Sequence, residues 1–251
     1  MSGELYSVAG AKFYIGNAAF NVPASGIVAA TDFASVTWLE VDGYENMGAA
    51  ADAAAEVATD LINRGRTIVQ KGTARAPART DQFAILPVDA GQIALLAASQ
   101  PTNKANYPFK ILFDDDPPVR TAVATVTIAS PGVFTVTGHG LVVGDGVKFT
   151  TTGALPTGIT AGTTYYVKTV LTADTFTVAA TSGGTVINTS GTQSGVHTMT
   201  TVPTATIKYW AGLVMNASEQ GGGANTTRLL SATIAPNTNY ATVAPTGVYT
   251  P

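Results

Sequence analysis

Few residues in this chain have the types and spacing to do chemistry. The acidic run Asp114-Asp115-Asp116 offers oxygen ligands of the kind Mg²⁺ and Ca²⁺ take. A calcium loop needs alternating ligands around a defined turn, and the run has neither, so it reads as a solvated turn. Gly138-His139-Gly140, with Gly144 close behind, has glycines like a phosphate loop. It lacks the GxGxxG spacing, and no helix follows to present its N-terminus to a phosphate. It reads as a turn between strands. The two histidines, His139 and His197, have no further ligands at zinc spacing. Cysteine is absent, which excludes disulfides and thiolate sites, and there is no Gly-x-Ser-x-Gly nucleophile elbow.

Two charged groups remain. Asp52, Glu56 and Asp60 recur every fourth residue, most simply as a solvated or interface face. Arg64, Arg66, Lys71, Arg75 and Arg79 form a basic cluster. No aromatic residue alternates with the cluster and acidic neighbours oppose it, so inter-subunit ion pairing fits it better than DNA contact. Together these eight residues are the candidate inter-subunit contacts. No catalytic, cofactor-binding or metal-binding residue is assigned, and an enzyme is not expected.

Composition agrees. Hydrophobic residues make up 45% of the 251 positions and charged ones 12%, about half the usual charged share of ~25%. A chain this poor in charge is expected to hide surface in an oligomer. Net charge is −3, so no basic footprint suggests a nucleic-acid binder. The beginning of the chain lacks a basic region followed by an apolar run. No apolar run approaches the ~20 residues of a membrane helix. The expectation is a chain made in a cytoplasm and soluble there.

The elements that must position these residues are mostly short strands. Residues 11–16 and 36–41 read as strands, with a small, loop-like 17–35 between them. Residues 44–55 read as a long exposed loop with room for a helical turn. Residues 56–71 read as a hairpin turning at 63–65, and 72–80 as a basic loop. Residues 81–88 form a further strand. One helix is predicted at 90–99, with Asp89 as N-cap and Gln92 at the capping-box position. Residues 107–113 and 206–215 alternate with the period of half-buried strands. They read as hairpin partners whose turn was opened to accept a second domain. The inserted segment, 120–203, holds 23 threonines and is net +1, whereas the remainder is net −4. Its strands are expected at 123–129, 133–137, 146–151, 164–170, 175–180 and 196–202, in a small barrel or sandwich. A strand near 227–234 follows, then a tail, 236–251, that reads as an arm or as disorder.

In order, the parent segments resemble a major tail tube protein of long-tailed, non-contractile (siphovirus-type) bacteriophages. The resemblance is carried by residues 36–43 with the loop after them, the hairpin segment 56–73, the helix 89–98, and 107–113 paired with 209–217. The insert resembles small β modules recurrent in phage tail proteins, through 138–145 and 162–167. The resemblance implies a mainly β protein: a β-sandwich or barrel with one flanking helix over 1–118 and 204–251, plus an outward-facing all-β domain at 119–203. It implies hexameric rings stacked into a virion tube assembled in the host cytoplasm. Other expected partners are the tape measure, tail tip and tail terminator proteins, with DNA passing through the lumen without specific binding. No cofactor is expected. By the resemblance, the 43–55 loop and both termini would contact neighbouring rings. The threonine-rich, nearly neutral, β-only composition of the insert motivates the hypothesis that it decorates the exterior and aids host attachment, with a surface glycan as candidate ligand. Alternative readings are the tube of a contractile or secretion apparatus, and a surface carbohydrate-binding β protein.

Overall fold

The computed structural model describes residues 7–63 and 65–247. The protein is mainly β, with a single α-helix among the described residues. It divides into two compact units: Met1–Asp114 with Ile207–Val243, and Asp115–Thr206 with Ala244–Pro251.

The first unit contains β1 (Lys12–Gly16), β2 (Trp38–Val41), β3 (Tyr44–Asn46), β4 (Ala53–Leu61), β5 (Arg66–Arg75), β6 (Arg79–Ala84), α1 (Ala90–Ala98) and β7 (Tyr107–Leu112). The second contains β8 (Thr121–Val126), β9 (Phe134–Thr135), β10 (Gly146–Thr151), β11 (Thr164–Val170), β12 (Thr175–Ala179) and β13 (His197–Val202). The chain then returns to the first unit for β14 (Ile207–Gln220), β15 (Leu229–Pro236) and β16 (Ala241–Val243).

The first unit is built on an antiparallel sheet in the order β2-β1-β7-β14-β15-β6-β3, with β16 also on β14. β7 and β14 pair antiparallel from Leu112 opposite Ile207 to Tyr107 opposite Gly212, across the whole second unit in sequence. The alternation of β7 explains its place at the centre. Phe109 and Ile111 are fully buried on one face, against Phe13, Ile15 and Trp210. Burying such side chains stabilises by about 1.5–3 kcal/mol each. The opposite face carries Tyr14, Lys110 and Trp38, with the Lys110 ammonium 4.0 Å from the Tyr14 ring centroid. Burial lowers the Lys110 pKa, and Glu40 opposes that shift. Residues 17–36 cover this face through Phe20, Val28 and Phe33.

Helix α1 begins where the Asp89 carboxylate accepts from the Gln92 backbone N–H at 2.8 Å. Gln92 does not close the expected capping box. Its amide donates to the carbonyls of Asp42 and Ala84 and accepts from Leu86 N–H, which ties the helix to β6 and the end of β2. The buried Gln92 side chain thereby satisfies its own amide with three backbone partners. Gly91 allows this contact, because a Cβ there would lie 2.1 Å from the Glu40 carbonyl oxygen.

The second unit is a closed barrel in the order β10-β11-β12-β9-β8-β13. Phe134 stacks on Phe149 at 4.3 Å inside it, with Phe176, Val147, Val167 and Val178 around them. The buried Asp145 carboxylate accepts from the N–H groups of Val142 and Gly247. It thereby ties the returning chain end to the β10 turn.

Three expectations require correction. The 44–55 loop contains β3 and the start of β4, and no helical turn. The basic loop at 72–80 is the end of β5 and the start of β6, since β5 runs on to pair Arg75 with Ala53. The tail from 236 is not an arm as far as it is described, because β16 adds to β14 and Thr246 bridges Thr204. Residues 248–251 lie outside the described residues.

Candidate functional site

The sequence-predicted contact residues converge on the β4–β5 hairpin. These two strands pair only with each other among the described residues. All their described side chains are exposed except Leu61 and Gly72, which are half-buried. An isolated two-stranded ribbon is marginal in water, and its two outer edges present unpaired N–H and C=O groups.

Register gives the ribbon two different faces. Directly opposed residues share a face. Glu56 opposes Lys71, Ala58 opposes Val69, and Asp60 opposes Thr67, whose hydroxyl donates to the Asp60 carboxylate at 2.6 Å. This face carries charge. The other face pairs Val57 with Gln70, Thr59 with Ile68, and Leu61 with Arg66. Glu56 and Asp60 thus share a face because they are an even number of residues apart on a strand.

The hairpin is anchored at its root by a buried polar cluster. Arg79 lies on β6 with its side chain fully buried. Its Nε and Nη2 donate to Asp81 at 2.7 and 2.6 Å. Asp81 also accepts from the Tyr44 hydroxyl at 2.7 Å and from Gly48 N–H at 2.9 Å. The Arg79 guanidinium sits 4.8 Å from the Trp210 ring centroid and 5.9 Å from that of Phe13. Burial works against the Arg79 charge, but the bonds and charge of Asp81 outweigh it and raise the pKa. Burial, then the Asp81 charge, raises the Tyr44 pKa well above its usual value. Close by, Lys208 donates to the Ala50 carbonyl at 3.2 Å. The chain leading into β4 is therefore held from β6 and β14.

Arg79 is accordingly corrected from a contact residue to an internal anchor, because its guanidinium is fully buried within its own unit and paired there with Asp81. Asp52 precedes β4 and shares the wall of a groove of about 550 Å³ with Arg75. Glu56, Asp60, Arg66 and Lys71 are on the ribbon and exposed. Arg64 lies outside the described residues.

The other chemical candidates are used internally. Asp115 accepts from the N–H and the hydroxyl of Thr206 at 2.7 and 2.6 Å. His139 Nδ1 accepts from Leu141 N–H, and His197 bonds Thr151 and Gln193. Sequence reasoning missed Asp81 and Tyr44. Arg79, Asp81 and Phe83 alternate on one strand, so an inward Phe83 places the other two inward as well. No helix among the described residues is long and apolar enough to cross a membrane. A scan of protein-family models gives no match to the chain, and a search of curated proteins gives none either.

Proposed function

We propose that this chain is the self-assembling subunit of a tube of the long-tailed-phage type. Six copies close a ring, rings stack, and DNA passes along the lumen. The observation that carries the self-assembly is the β4–β5 ribbon: strands of nine and ten residues, exposed on both faces, with both outer edges unpaired among the described residues. A second copy of the chain supplies what the ribbon lacks, backbone partners at its edges and a cover for Val57, Leu61 and Ile68 on its less charged face. The hexamer, the stacking and the DNA conduit come from the resemblance of the parent segments to tail tube proteins. The face that carries Glu56, Asp60 and Lys71 has a surplus of carboxylates, which suits a lumen because net negative charge repels phosphate.

Sedimentation and negative-stain microscopy of the purified chain test this reading. Rings or tubes are expected. A chain that stays monomeric at tens of micromolar and forms no ring on the grid refutes it. The barrel unit is proposed as exterior decoration that aids host attachment. Replacing 119–203 by a short Gly-Ser bridge is expected to leave ring formation intact, and loss of all rings would assign the barrel a structural role instead.

A further inference from the structure

The first unit exposes large apolar side chains in two clusters. One is on the ribbon, at Val57, Ile62, Ile68 and Val69; the other surrounds α1, at Leu86, Val88, Ile93 and Leu96. Among the described residues, the remaining exposed large apolar side chains of this unit, Val8, Ile27 and Met215, come singly from separate segments.

The two clusters differ in form. The ribbon is a thin two-stranded sheet. On its less charged face Val57, Leu61 and Ile68 stand together, with Arg66 opposite Leu61 at the turn end. The α1 cluster borders a groove of about 250 Å³ between Ile85, Leu86, Ile93, Leu96 and Leu230. The exposed Glu219–Arg228 ion pair lies at that groove. A ridge of aliphatic side chains fits a recess better than it fits another ridge. Arg66 also has a carboxylate to meet at the groove.

We propose that the Val57–Leu61–Ile68 face of one copy seats in the α1 groove of the next, with Arg66 brought to Glu219. The inference rests on the self-assembly reading above and names the surfaces that carry it. Two different patches make a heterologous contact, which repeats head to tail and closes into a ring when the rotation allows. A patch that met itself would stop at a dimer. The arrangement leaves Glu56, Asp60 and Lys71 on the face turned away from the contact.

The absence of cysteine makes the test clean. Ile68→Cys and Ile93→Cys are prepared in the full chain, each at an exposed position. They are treated with a short bis-maleimide, which removes the demand for disulfide geometry. An equimolar mixture is expected to give cross-linked dimers that neither variant gives alone. Ile93→Asp is expected to weaken self-association on the order of tenfold or more with unchanged circular dichroism. Cross-linking of Ile68→Cys alone, without the mixed product, shows that like meets like and overturns the proposal. Absence of the mixed product while the unmodified chain still associates in sedimentation also overturns it, and leaves the tube reading standing. An unmodified chain that never associates defeats the tube reading itself.

Discussion

Replacing Asp81 by Asn isolates the cation of Arg79 inside the first unit with little change of volume. In the native chain Asp81 accepts four hydrogen bonds, two from Arg79, one from Tyr44 and one from Gly48. Asn retains one acceptor oxygen but turns an NH₂ group toward donors, and it carries no charge. Breaking a buried ion pair by removing one partner costs about 3–5 kcal/mol. The Tyr44 bond adds about 1 kcal/mol, and Gly48, half-buried, adds less. A loss of about 4 kcal/mol is large against the ~5–15 kcal/mol that holds a domain folded. At a urea m-value of about 2 kcal/mol/M it moves the midpoint down by about 2 M. Tryptophan fluorescence is the assay, because both tryptophans, Trp38 and Trp210, belong to the first unit. The control removes the whole cluster with Arg79→Met, Asp81→Leu and Tyr44→Phe together. Its stability should recover most of the loss, since replacing a complete buried pair by apolar groups is often neutral. A midpoint shift below about 0.5 M for Asp81→Asn, or a triple variant no better than the single one, would refute the assignment of Arg79 as a buried cation that needs its partner.

Three further outcomes are expected. Tyr44 has a pKa raised above its unfolded value by burial and by Asp81, so its contribution is fully present below about pH 10 and declines as pH rises above it. Alkaline titration should therefore destabilise the first unit by up to ~1.4 kcal/mol per pH unit from this group, and Tyr44→Phe should flatten that slope. Gly91→Ala should destabilise by about 1–3 kcal/mol through overpacking against the Glu40 carbonyl, read from the same fluorescence transition; an unchanged midpoint would mean that the helix does not sit so close to β2. Phe149→Ala should cost about 3–5 kcal/mol in the barrel, seen as loss of amide-exchange protection in β10 and β13.

The parts of the fold that were legible in sequence share a physical cause. β1, β7 and β14 each bury one face, so selection for a core writes a two-residue period into them. That period, with the acidic and proline-rich boundary, was enough to pair the strand at 107–113 with the strand at 206–215 across the intervening segment, although the register came only from the structure. The barrel strands were legible for the same reason, with Phe149, Val167, Phe176 and Met199 marking inward positions. Helix α1 was marked by its cap, although Gln92 had a use that only distant carbonyls define.

The ribbon was legible only in part, and its illegible part is the informative one. β4 begins with three alanines, which favour strands weakly, and no core contact imposes alternation on either strand. Residues 53–55 and 72–75 become strand because each supplies the other's backbone partners. Arg79 was misplaced for the complementary reason. A basic residue is presumed solvated, and only the parity with Phe83 and the non-local rings of Phe13 and Trp210 reverse that presumption. The two errors bear on one another. The buried Arg79–Asp81 pair and the Gly48 bond hold the chain segment that enters β4, while the ribbon beyond finds no core of its own. An anchored root supporting a strand pair without a covered face is costly for a monomer to maintain, since ordering each residue costs about 1–2 kcal/mol of backbone entropy and no buried face repays it. On the self-assembly proposed above, a neighbouring copy would resolve that imbalance, and the residues that made the ribbon hard to read in sequence are the ones that motivate the proposal.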